Sequence, residues 1–71
     1  MSRYLIVIEE TETGFSSYSP DLDGCIATGA TRKEVEQRMK EAIQFHLEGL
    51  KEEHLPIPEP HSSSTYLEVS A

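Results

Sequence analysis

Asp21, Asp23 and Cys25 stand close together in the chain, and three histidines follow at His46, His54 and His61. Carboxylates two residues apart could hold a divalent cation, and a cysteine beside a histidine could act as nucleophile and base. Neither arrangement is complete. Asp21-Leu22-Asp23-Gly24 lacks the further oxygen ligands that a calcium loop supplies at fixed positions. Cys25 has no cationic neighbour in sequence to lower its pKa, so it reads as a small buried thiol. One cysteine and scattered histidines give no metal-ligand spacing. His46 falls on an apolar helix stripe and reads as a core or boundary residue. Gly24 and Gly29 punctuate turns and do not build a phosphate loop. A residual nuclease would need converging carboxylates, and Asp21, Asp23, Glu34 and Glu68 show no such convergence. The reading is therefore no catalytic residue, no metal and no cofactor.

What remains is binding. Tyr18 and the turn Pro20, Asp21, Leu22 and Asp23 form the candidate partner-binding surface, because loops on a rigid sheet often carry recognition. Thirteen acidic residues against six basic ones give a net charge of -7. That argues against nucleic acid or an anionic membrane as a direct partner, since both need clustered cations. It favours a basic protein partner. The longest apolar run, Leu5 to Ile8, cannot span a bilayer, and the N-terminus has no basic start followed by a long apolar stretch. A cytoplasmic protein with a reduced thiol is expected.

The 71 residues read as one domain, 1–71. A core of this size is marginal alone, and a single cysteine allows no intrachain disulfide, so a homodimer or higher homo-oligomer is expected.

The elements that must position these groups follow from period and punctuation. Arg3 to Glu10 is a β-branched, aromatic strand, with Tyr4, Ile6 and Ile8 on one face and Leu5 and Val7 on the other. A glycine turn leads to a second strand, Phe15 to Ser19, ended by Pro20. Asp21 to Gly24 is a second turn, and Cys25 to Thr28 a short third strand. Thr31 with Glu34 fits a capping box. Val35, Met39, Ala42, Ile43, His46 and Leu50 then recur at helical spacing, with Phe45 and Leu47 widening the stripe. Glu36 and Lys40 form an i,i+4 pair, and the helix should stop before Pro56. His54 to Ser64 is a Pro- and Ser-rich connection, and Thr65 to Val69 a fourth strand with Leu67 and Val69 on one face. The expected fold class is α+β. Its order is β-β-β-α-β: a three-stranded antiparallel meander, one helix packed on one sheet face, and a fourth strand parallel to the first. Strand one would then lie between strands two and four, and the face away from the helix would be left for another subunit or partner.

The chain resembles the N-terminal domain of HicB-type antitoxins over nearly its whole length. The residues that carry the resemblance are Tyr4 to Glu9, then Ser19-Pro20-Asp21-Leu22-Asp23-Gly24-Cys25, Thr28-Gly29-Ala30-Thr31 with Glu34, Glu41-Ala42-Ile43, and Pro56-Ile57-Pro58-Glu59-Pro60. The resemblance implies a degraded ribonuclease H-like fold without catalytic carboxylates. It also implies a partner, a small basic mRNA-cleaving toxin of the HicA type, which the domain binds and blocks. Asp23 stands where the family often has proline, and His46 near a position where tyrosine is common. Many family members carry a C-terminal DNA-binding module, and operator binding is not expected of this chain alone. The alternative expectation is an orphan oligomeric domain of the same fold with a different ligand or protein partner.

Overall fold

A β-branched run, two tight turns and a capped amphipathic segment build three antiparallel strands followed by one helix. The computed structural model describes residues 2–71; Met1 lies outside them. The elements are β1 (Val7–Glu10), β2 (Phe15–Ser19), β3 (Leu22–Gly29) and α1 (Arg32–Glu52). Both strand pairings are antiparallel and the sheet order is β1-β2-β3.

This order differs from the expected one. β2 is the central strand, and β1 lies at an edge rather than between two neighbours. Thr65 to Val69 joins no ladder; Tyr66, Leu67 and Val69 are almost fully exposed. The double-sided apolarity of β1 therefore has another origin. Pairing Val7 with Tyr18 and Ile8 with Ser17 turns Ile8, and with it Ile6 and Tyr4, toward the helix. Leu5 and Val7 face the other way, beside Tyr18 and Ile26.

The ladder of β1 begins only at Val7, although the apolar run starts earlier. Just before it, the Ser19 hydroxyl donates to the Leu5 carbonyl at 2.9 Å and ties this lead-in segment to β2. β3 runs longer than expected because the Asp21–Gly24 turn is absorbed into it. Tyr18 pairs with Ile26 but Ser19 with Leu22, so Asp23, Gly24 and Cys25 bulge out of register. Gly24 has φ +82°, a left-handed conformation that disfavours other residues. At the far end of β3, a Cβ on Gly29 would lie 2.8 Å from the Val35 amide nitrogen. Glycine is needed there to let the helix approach the strand.

Thr31 caps α1 as read from sequence: its hydroxyl accepts from the Glu34 amide at 3.1 Å. The Glu34 carboxylate reaches back one residue further than a standard capping box, to the Ala30 amide at 2.9 Å. The expected Glu36–Lys40 pair is replaced by Arg32–Glu36 at 3.6 Å. The helix closes on a Schellman turn, with Leu55 donating to the Leu50 carbonyl and His54 to that of Lys51. His54 takes φ 57° at the position glycine usually fills.

Val35 and Met39 are fully buried under the helix, with Leu22 and Cys25 from β3. Tyr4, Ile6, Ala27, Ile43 and Leu47 pack around Leu22, Cys25 and Met39. Phe45 does not widen the buried stripe as expected; it is 80% exposed. The Ser17 hydroxyl is buried between helix and sheet without a hydrogen-bond partner.

Candidate partner-binding surface

The five residues read as a recognition surface separate into two groups. Leu22 is 1% exposed and belongs to the core. Asp21 is buried too, and its carboxylate is occupied within the chain. One oxygen accepts from the Ser62 hydroxyl at 2.6 Å. The other accepts from the backbone amides of His61 and Ser62, each at 3.1 Å. The His61 ring nitrogen Nδ1 lies 3.2 Å from the first oxygen, an ion pair once the ring is protonated. The Ser62 hydroxyl bond does most to hold the Asp21 carboxyl below its ordinary pKa, and the two amides add to it against the opposing effect of burial. Asp21 is thus a clasp that fixes the segment after the helix against the β2–β3 connection. The Tyr4 hydroxyl, donating to the Pro58 carbonyl at 2.6 Å, holds the same segment a few residues earlier.

Tyr18, Pro20 and Asp23 remain outside, with Tyr18 43% exposed. The sheet register sets Tyr18 directly beside Ile26, which is 72% exposed. Val7, paired with Tyr18, extends the patch across all three strands. Glu9 and Ser16 pair with each other further along this face, where Thr28 also lies. The result is a small apolar stripe on the sheet face opposite the helix. Sequence reading picked out Tyr18 but not Ile26, because only the bulge at Asp23–Cys25 decides which way Ile26 points. The clasp was likewise out of reach: Asp21 and Ser62 are separated by 41 residues.

The residues that could have done chemistry do not assemble into a site. Cys25 is buried, and burial raises its pKa, which disfavours the reactive thiolate. His46 lines the same hollow as Cys25, between β3 and the last turns of α1, yet no hydrogen bond joins them. Among the described residues no three histidine, cysteine or acidic groups are placed to hold a metal ion. No described helix is long and apolar enough to cross a membrane.

Comparison with known proteins gives this surface a context. Residues 4–70 match the family model described as the HicB-like antitoxin of bacterial toxin-antitoxin systems. Over 64 residues the chain is 36% identical to an uncharacterized 14.9 kDa protein of Haemophilus phage HP1; this covers 90% of the chain and 48% of the phage protein, so the chain spans about half that relative's length. It is 37% identical to a UPF0150 protein of Synechocystis sp. over 57 residues, covering 79% of the chain and 72% of that protein. Among solved structures it resembles a chain of the HicA3 and HicB3 toxin-antitoxin complex, with TM-score 0.71 and 38% identity, over 84% of this chain and 70% of that one. The antitoxin HicB3 crystal structure matches with the same score and identity, over 44% of its chain. The chain belongs to the HicB-like antitoxin family of bacterial toxin-antitoxin systems.

Proposed function

We propose that this protein is a cytoplasmic antitoxin that binds a small, basic, mRNA-cleaving toxin of the HicA type and occludes it, with no catalysis of its own. The observation that carries the reading is the 38% identity, over 84% of the chain, to a chain of the HicA3 and HicB3 complex. The net charge of -7 supports a basic partner through complementarity and steering. The stripe of Val7, Tyr18 and Ile26, with Pro20 and Asp23 at its end, is the contact surface in this reading. It offers apolar anchors on a rigid sheet, with Glu9 and Asp23 nearby for a cationic toxin. Asp21 and Leu22 act from behind, shaping the turn rather than touching the partner.

The fold itself is read as a degraded ribonuclease H-like domain. Pro58 meets Tyr4, and Ser64 to Tyr66 line a hollow with Leu5 to Ile8, so the chain after the helix runs in the same direction as β1. That is the course a fourth strand parallel to β1 would take in the assembled protein, a homodimer or higher homo-oligomer.

The test is co-expression with the small basic protein encoded beside this gene. That neighbour alone should arrest growth. This chain should co-purify with it and restore growth. A toxic neighbour that this chain neither binds nor neutralises would defeat the antitoxin reading and favour an orphan binding domain.

A further inference from the structure

β3 is an outer strand of the sheet, and its free edge is closed at one end only. The hairpin bond from the Thr11 amide to the Gly14 carbonyl fixes which way each backbone group points. Bonded and non-bonded pairs alternate along an antiparallel ladder, so Glu9 with Ser16 and Val7 with Tyr18 are the pairs that exchange bonds. Ser16 and Tyr18 thus direct their backbone groups to β1. Their partners across the other ladder, Thr28 and Ile26, turn theirs away from β2 to the outside. Arg38 agrees with this, since it reaches from α1 to donate to the Thr28 carbonyl at 3.0 Å.

The chain seals one end of this edge itself. Arg38 takes the Thr28 carbonyl, the Glu34 carboxylate takes the Ala30 amide, and the two side chains pair at 3.5 Å. Among the described residues no side chain covers the Ile26 amide, the Ile26 carbonyl or the Thr28 amide in this way. Both sides of the opening are apolar. On the open sheet face Ile26 is 72% exposed beside Tyr18. On the helix side Ala42, Phe45 and Leu50 stand with Cys25 around a hollow of about 470 Å³, and Phe45 is 80% exposed. Helical spacing puts Glu41, Glu48 and Glu52 on the flank of Phe45, with Glu53 at the end of the hollow, and all four are exposed. None of the four lies within ion-pair distance of a cation among the described residues, and Arg38 is already paired. A second copy would bring these acids against one another, whereas a basic partner would meet them with opposite charge.

We propose that an extended segment of the basic toxin adds to β3 as a further strand at Ile26 to Thr28. This inference rests on the antitoxin reading and says how the partner is held. The toxin residue level with Ile26 shares its face and packs on Ile26 and Tyr18. Its two neighbours point to the helix side, an apolar one over Phe45 and Leu50 and a lysine or arginine towards the glutamates. Main-chain bonds hold the segment, and the apolar contacts on either side of the edge give it specificity. The Glu34–Arg38 pair sets where the added strand stops.

Amide hydrogen exchange read by NMR, on the full chain free and bound to the small basic protein encoded beside its gene, tests this. In the free chain the Ile26 and Thr28 amides should exchange fast and the Ala27 amide slowly, because Ala27 faces Ser17. In the complex the first two should slow by about tenfold or more. Phe45→Glu, at an exposed helix position, should leave the circular dichroism spectrum unchanged and raise the toxin Kd roughly thirtyfold. Thr28→Pro removes an N–H that the sheet does not use, so the fold should persist while binding weakens by about tenfold. A neighbour that the wild type does not bind at all defeats the antitoxin reading and this inference together. A complex in which Ile26 and Thr28 still exchange fast, or one that neither substitution weakens, overturns the strand addition and leaves the antitoxin reading standing.

Discussion

At the level of single residues, the largest difference between reading and structure is at Asp21. Its place in an Asp-Leu-Asp-Gly turn suggested a surface ligand, yet its carboxylate faces inward and accepts from Ser62 and His61. No local signal marks this, because both donors sit some forty residues away and neither serine nor histidine has a spacing that identifies a partner. The clasp has a defined pH dependence. The Asp21 carboxyl titrates below its ordinary value in the fold. Its contribution is therefore fully present above the ordinary carboxylate pKa, about 3.9, and is lost as pH falls through the lower folded value. Amide hydrogen exchange should show His61 and Ser62 protected near neutrality and exposed in acid. Asp21→Asn should remove most of that protection at neutral pH, because the amide side chain accepts through one oxygen only. Unchanged protection in the variant would mean the segment is held by other contacts. Cys25, in contrast, was read correctly as a buried thiol, since a lone small apolar-like residue in a strand has few other places to go.

Among the elements, legibility follows the distance over which each decision is made. The helix start depends on residues three and four apart, and Thr31 and Glu34 do cap it. The hairpin between β1 and β2 depends on a short turn and was equally plain. Strand order is a nonlocal choice. The alternation at Leu67 and Val69 reads as a strand but does not say whose edge it pairs with, and β1 accordingly stands at the edge of the sheet in the single chain. The helix end carries a strain that sequence did not announce. His54 occupies the left-handed C′ position of a Schellman turn, at φ 57°. For a residue with a Cβ this conformation is unfavourable by about 1 kcal/mol. His54→Gly should raise stability by roughly that amount, less the greater unfolded-state entropy of glycine. Chemical denaturation should show a higher midpoint at an unchanged slope. A lower midpoint would mean that the His54 side chain makes a contact outweighing its backbone strain.

On the scale of the whole molecule, the chain presents two apolar surfaces on different sides of one thin layer. The stripe at Val7, Tyr18 and Ile26 lies on the sheet face away from the helix, and the hollow at Ala42, Phe45 and Leu50 lies between β3 and α1. They meet at the free edge of β3, so one partner reaching round that edge covers both. Ile26→Asp adds a charge on the open face, where Ile26 is 72% exposed in the single chain, so the fold should persist. It should weaken toxin binding by at least tenfold, through lost apolar burial and an acid forced into the contact, while leaving the sedimentation of the antitoxin alone unchanged. Phe45→Glu should weaken the same contact from the helix side, again without changing the sedimentation. Association with the toxin should also slow as salt is raised, because a chain of net charge -7 steers a basic partner through a field that ions screen over about 10 Å at 0.1 M. Isothermal titration of each variant against toxin, beside sedimentation of each variant alone, checks both. If Ile26→Asp abolishes self-association and spares the toxin, the stripe belongs to a second copy.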